Sequence, residues 1–226
     1  MKLEQISDLN QRSVMKKFFD ELVPFYELAV IKSENITFYE KICSKFLDDL
    51  IAATNNGQRD YVLVGHSMGC AVTYNVMSHI SNQKKNKPYC THNPKILSDA
   101  YRQKVKSFVE TNSHCFGLMT FGNYTGYDWC QKLNNKTLYG ELKEQFVYPD
   151  SIGKWFNYWT FLGGDPFILD DQIGDDMINN KAKNFKDIIV FRAPFKNVGH
   201  RRRKWFKRKD FVNKLVKQLK FSLYAN

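Results

Sequence analysis

Apolar positions change period several times along the chain, and each change predicts an element. Between residues 8 and 30, Val14, Phe18, Phe19, Leu22, Phe25 and Leu28 recur every three or four residues. That spacing predicts a helix to about Leu22, interrupted by Pro24 and followed by a short strand over 26–31. Thr37-Phe38-Tyr39-Glu40 has the form of a capping box, and Ile42, Phe46, Leu47, Leu50 and Ile51 continue it as an amphipathic helix until Asn55-Asn56-Gly57 stops it. Tyr61-Val62-Leu63-Val64 predicts a buried strand, and Ala71 to Ile80 a helix. The polar stretch 81–94, with Lys84, Lys85, Lys87, Pro88 and Pro94, reads as an exposed excursion, and a helix around 98–111 brings the chain back. A second buried strand is expected over 114–123, an aromatic strand over 155–161 and a last strand over 186–192, while 129–148 is too mixed to assign. Asp210 is placed to cap a terminal helix carrying Phe211, Leu215, Val216 and Leu219 on one face. Strands alternating with helices predict a mostly parallel sheet covered on both sides.

Composition narrows the class. The 226 residues form one expected domain, 1–226, with 1–35 as an atypical N-terminal helical segment, and the 43% hydrophobic content excludes a disordered chain. No apolar run is long enough to cross a bilayer, and Met1-Lys2-Leu3-Glu4-Gln5 leads into no apolar signal core. The expectation is a soluble, cytoplasmic protein, with export by a route needing no such signal left open. The five cysteines, Cys43, Cys70, Cys90, Cys115 and Cys130, are odd in number and contain no C-x-x-C pair, which argues against a disulfide framework and against a zinc site. Cys70 and Cys115 read as small core residues. A net charge of +11 biases the chain toward anionic partners.

The chemistry centres on Gly65-His66-Ser67-Met68-Gly69, set between the Tyr61 strand and the following helix. A serine on so sharp a turn takes a strained backbone angle, and side chains at 65 or 69 are expected to collide with the neighbouring strand or helix. The helix N-terminus lies under Ser67, so the Met68 backbone N–H points where an oxyanion would form. These five residues, in this setting, resemble the nucleophile elbow of the α/β-hydrolase and lipase family. Thr120-Phe121-Gly122, at the end of the next strand, is similar to a second feature of that family. The resemblance implies a three-layer α/β/α hydrolase-like fold with a mostly parallel sheet. Only 60 residues precede Tyr61 and no His-Gly occurs among them. The sheet is therefore expected to be truncated or replaced at its N-terminal edge, with the second oxyanion N–H coming from the loop at 32–35 or missing.

A serine hydroxyl needs a base to take its proton and an acid to orient that base. In the resembling family the order is serine, acid, histidine, each past a strand. Ser67, Asp165 and His200 satisfy it. Asp165-Pro166 follows the aromatic strand as the family's acid does, ahead of Asp170, Asp171, Asp175 and Asp176, with Asp170 as the reserve. Val198-Gly199-His200 matches the family's base, while His66, His79, His92 and His114 sit at positions that do not follow the last strand. Such a triad performs acyl transfer on a carboxylic ester and requires neither metal nor organic cofactor. Arg201-Arg202-Arg203-Lys204-Trp205 opens a run of seven basic residues in nine, over 201–209. It suits a phosphate-bearing or lipid ester substrate, or peripheral contact with an anionic membrane. The competing class is a non-enzymatic binding protein on a hydrolase-like scaffold, its basic segment touching membrane, protein or, less favoured, nucleic acid.

Overall fold

Thr37 starts the first long helix as the capping pattern predicts. Its hydroxyl accepts the Glu40 N–H at 3.0 Å, and helix α1 runs Phe38–Thr54 to a C-cap at Asn55. The computed structural model describes residues 25, 30–55, 59–87, 97–121, 148–161, 184–192 and 209–224. Ahead of α1, strand β1 (Val30–Ile31) pairs antiparallel with β2 (Ile36–Thr37). The short strand expected over 26–31 is thus half of a two-residue hairpin and no part of the main sheet, and 32–35 is its turn. The helix expected up to Leu22 lies outside the described residues.

Four parallel strands follow in the order in which they occur: β3 (Asp60–His66), β4 (His114–Phe121), β5 (Ile152–Phe161) and β6 (Phe185–Arg192). The register runs Asp60↔His114 to His66↔Phe121, Cys115↔Ile152 to Phe121↔Tyr158, and Trp155↔Phe185 to Phe161↔Arg192. All four carboxyl ends therefore open on one rim. Helix α2 (Met68–Lys84) leaves β3, and α3 (Asp99–Glu110), capped by the Ser98 hydroxyl, leads into β4. Strand β5 begins three residues before the expected aromatic run. Gly153 lets it come close to β4, since a Cβ there would stand 2.7 Å from the Phe116 carbonyl oxygen.

Alternation along the strands builds two apolar clusters. Leu118 and Trp155 join Tyr39, Leu47, Tyr74, Met77, Tyr101 and Phe108 under α1, α2 and α3. Met119, Phe121, Phe156, Tyr158 and Ile188 face Phe211 and Leu215 of α4 (Lys209–Tyr224) on the other side. Burying this apolar area is the main source of stability, at about 25 cal/mol per Å². Helix α4 starts at Lys209, so Asp210 lies in its first turn rather than ahead of it as a cap, and Val216, expected on the packed face, is 41% exposed.

Two further corrections concern burial. Strand β3, expected to be buried, is the edge of the described sheet: Tyr61, Val62 and Leu63 are half-buried and Val64 is 49% exposed, because only β4 pairs with it. Conversely, every residue of α2 from Cys70 to Ser81 is buried, polar ones included. Their polarity is satisfied within the helix layer. Tyr39 donates to Asn75 Oδ1 at 3.0 Å, leaving its oxygen to accept from His79 Nε2 at 3.1 Å, and His79 Nδ1 then accepts from the Tyr101 hydroxyl at 2.9 Å. Asn75 Nδ2 donates to the Ala71 carbonyl at 2.7 Å. One directed chain thus ties α1, α2 and α3 together. It requires a neutral imidazole, and burial, aided by the positive charge of Arg102, pushes His79 down to about 3.

Candidate active site

The turn between β3 and α2 carries the backbone outlier of the described structure that matters most for chemistry. Ser67, the residue between strand and helix, has φ 56° and ψ −130°. Those are the angles of the first central residue in a type II′ turn, a place that glycine fills by default. A serine held there costs about 1–3 kcal/mol, so its surroundings must over-determine it. They do so from two sides. The Ser67 N–H donates to the Phe121 carbonyl of β4 at 3.4 Å, and the Ser67 carbonyl accepts from Cys70 N at 2.8 Å. Cys70 Sγ lies 3.7 Å from the same Phe121 oxygen, and the His66 ring packs on Phe121 with centroids 4.8 Å apart.

The two glycines of the motif play different parts. A Cβ on Gly65 would meet Cys70 Cα at 3.2 Å and Cys70 N and Sγ at 3.4 Å, so Gly65 is what lets α2 start so close to its own strand. A Cβ on Gly69 would meet nothing within 4 Å among the described residues, which corrects the expectation that both positions relieve a clash. Met68 is the first residue of α2, where backbone N–H groups have no carbonyl four residues earlier in the helix and point out of its positive end. The Ser67 side chain does not cap the helix, so its hydroxyl is not committed to the α2 N-terminus.

The remaining predicted residues, Asp165, Asp170, His200 and Arg201, Arg202, Arg203, Lys204 and Trp205, lie outside the described residues. Their places in the sequence are fixed by the strands around them: Asp165 comes four residues after Phe161 (165 against 161) and His200 eight after Arg192 (200 against 192). Both follow strands whose carboxyl ends share the rim on which Ser67 sits. The rival histidines are better defined. His114 opens β4 opposite Asp60, at the far rim and roughly 20 Å along the strand from Ser67. His79 is twelve residues into the helix layer (79 against 67), roughly 18 Å away, and burial, with the nearby Arg102 charge, keeps it neutral. His66 is turned onto Phe121. His92 lies outside the described residues.

Sequence reasoning placed His79 on the elbow helix without seeing its role in the core. The signal was present in Asn75 and His79, four residues apart on a helix directly after an apolar strand, a spacing that stacks two polar side chains on one face. Cys70 and Cys115 are core residues as expected, and Cys43 is a buried thiol as well, while Cys90 and Cys130 lie outside the described residues; burial pushes Cys115 up to about 12, far from a reactive thiolate. Among the described residues no three His, Cys, Asp or Glu side chains gather as metal ligands would, and no helix is long and apolar enough to cross a membrane. Compared with protein-family models, with curated proteins and with solved structures, the chain matches none.

Proposed function

We propose that this chain is a serine hydrolase of the α/β-hydrolase kind, a three-layer α/β/α domain that cleaves a carboxylic ester, with lipids and phospholipids as the favoured substrates. The observation that carries the reading is the Ser67 backbone, at φ 56° and ψ −130° between a parallel strand and a helix. Strain of this kind persists where it serves a purpose, and at a strand-to-helix turn it is the backbone of a nucleophile elbow. In the proposed reaction Ser67 Oγ bonds to the ester carbonyl carbon while His200 takes its proton, and Asp165 holds the imidazole tautomer. The Met68 N–H donates to the oxyanion. Collapse breaks the bond to the alcohol, which leaves with the proton from His200, and water then attacks the acyl-enzyme by the same route in reverse. The run beginning Arg201-Arg202-Arg203-Lys204-Trp205 would hold an anionic ester or rest on an anionic bilayer.

A fluorescent fluorophosphonate tests the nucleophile. Labelling and ester turnover should both disappear in Ser67→Ala, and His200→Ala and Asp165→Asn should each lower kcat by at least about a hundredfold while Asp170→Asn does not. A well-folded protein that takes up no label overturns the proposal. One observation favours a second reading, a binding protein on this scaffold: the described residues ahead of β3 form a hairpin outside the sheet, not a further parallel strand whose loop could supply a second oxyanion N–H. In that case the folded protein is unlabelled and its affinity for anionic vesicles, salt-dependent, remains.

A further inference from the structure

Strand β3 offers an open edge whose direction the hydrogen bonds at its two ends define. The Arg59 carbonyl accepts from His114 N at 2.8 Å and the Ser67 N–H donates to the Phe121 carbonyl at 3.4 Å, so the odd-numbered residues of this stretch turn their backbone groups to β4. N–H and C=O change sides from one residue to the next, and Val62 and Val64 therefore turn theirs the other way. No described strand stands there. These two valines also share the face that packs on α4: Val62 joins the cluster around Phe211, while Val64, two residues on, is 49% exposed. Lysine or proline guards most natural edges of this kind. Asp60-Tyr61-Val62-Leu63-Val64-Gly65-His66 has no proline and, in a chain of 34 lysines and arginines, no basic residue.

We propose that β3 pairs with β3 of a second copy of this chain, antiparallel about a two-fold axis at Leu63, joining the two parallel sheets into one. The register follows from which groups face outward. With Leu63 opposite Leu63, Val62 stands opposite Val64 of the second copy, and each such pair exchanges both of its backbone hydrogen bonds. The same register gathers the valines of both copies on one face, so that the exposed side of Val64 meets apolar surface. Tyr61 comes opposite Gly65, which brings no side chain, and the exposed Asp60 opposite His66, a carboxylate against an imidazole. Like charges stay apart: the Asp60 residues of the two copies are separated by six positions (66 against 60), roughly 20 Å along the pair. A strand of an unrelated protein would not require β3 to match itself in reverse, and β3 does. The pairing is independent of the hydrolase reading, although it ends one residue short of Ser67.

Sedimentation velocity of the full chain over about 1–200 μM tests the pairing, with amide exchange read at the same concentrations. The expected result is a reversible dimer in which exchange at Val62 and Val64 slows as the protein is concentrated. Val64→Lys sets two new ammonium groups roughly 7–8 Å apart across the pair and should raise the dimer Kd at least about tenfold, whereas Val30→Lys, at a valine 60% exposed on the β1–β2 hairpin, should change it less than about threefold. Under mild oxidation Leu63→Cys should link the two copies faster than Val62→Cys or Val64→Cys, with the unaltered chain as baseline, because only position 63 meets itself. Thermal melts verify the fold of each variant, and if Val64→Lys does not fold, the crosslinks and the concentration-dependent exchange decide. A monomer throughout the range overturns the proposal: fast exchange at Val62 and Val64 would then mean an edge left for a different partner, and slow exchange an edge covered by a segment of the same chain. A dimer that a folded Val64→Lys leaves intact overturns it too, as does one that Val62→Cys or Val64→Cys links faster than Leu63→Cys.

Discussion

The buried imidazole at position 79 makes stability depend on pH in a way that can be worked out in advance. His79 is fully buried and held down to about 3, while in the unfolded chain it returns to the ordinary value of about 6.5. Above pH 6.5 both states are neutral there and protonation contributes nothing. Between 6.5 and 3 the unfolded state takes up a proton that the folded state refuses, so stability falls as pH falls, by about 1.4 kcal/mol per unit. From pH 7 to pH 5 the loss is about 2 kcal/mol, which in a chain of this length lowers Tm by about 4–8 °C. Other carboxylates and histidines also titrate, and the variant His79→Gln separates them. At pH 7.5 it should be about 1–3 kcal/mol less stable, because the Tyr39 and Tyr101 hydroxyls lose their shared partner. Its stability should then drop less between pH 7 and pH 5, so that the two proteins converge as the solution is acidified. Urea unfolding followed by tryptophan fluorescence at pH 5, 6 and 7 reads both curves. A constant gap between them at all three values refutes the argument, since it would mean that His79 titrates alike in the folded and unfolded states.

Other expected outcomes follow from the elbow and the sheet. Ser67→Gly should stabilise the fold by about 1 kcal/mol against Ser67→Ala, because glycine accepts φ 56° without strain; equal denaturation midpoints would refute the strain. Gly65→Ala and Gly69→Ala should differ in sign: the first pushes β3 away from Cys70 at a cost of about 1–3 kcal/mol, and the second gains about 0.5–1 kcal/mol of helix propensity. Thermal melts of the pair settle it, and a destabilised Gly69→Ala would show that the space beside it is filled. Thr120→Val should cost about 2–4 kcal/mol in urea unfolding, since the Thr120 hydroxyl accepts from Trp155 Nε1 at 2.8 Å and donates to Asn157 Oδ1 at 2.7 Å, all three residues being buried.

Local signals carried most of the architecture. Thr37 and Ser98 cap the helices that their side chains announce, and the four main strands fall where β-branched and aromatic residues cluster. What was not legible depends on partners distant in sequence. Glu40 looks like the reciprocal half of a capping box, yet its carboxylate accepts from the Ser98 N–H at 2.7 Å and thereby joins the starts of α1 and α3. The polar face of α2 is buried because Tyr39 and Tyr101 arrive from either side, 40 and 22 residues away from His79. An apolar run cannot reveal whether a strand is central or at an edge, so β3 read as buried although Val64 is half-exposed. At the elbow the glycines were legible as a pair, but only the geometry separates Gly65, which permits a close approach, from Gly69, whose Cβ would meet nothing among the described residues.

The same geometry explains how a strained serine is kept in place at the edge of the described sheet, where β4 is the one described strand that holds it. Rigidity comes from behind. Helix α2 is gripped by α1 and α3 through a hydrogen-bonded chain that runs from Ala71 to Tyr101, and its far end is tied down where Ser151 donates to the Met77 carbonyl at 2.5 Å and Asp150 N–H donates to Ser81 at 2.9 Å. A helix fixed along its length fixes the position of Cys70, and Cys70 in turn closes on the Ser67 carbonyl and packs against Gly65. The buried polar residues of α2 and the strain at Ser67 thus belong to one mechanical unit. Loosening the network should relax the turn even though His79 is roughly 18 Å from it. If so, amide exchange at Met68 to Cys70 should quicken in His79→Gln well beyond the change at a helix of the opposite face such as α4. Equal acceleration in both would mean global destabilisation, and the turn would then owe its shape to Phe121 and Cys70 alone.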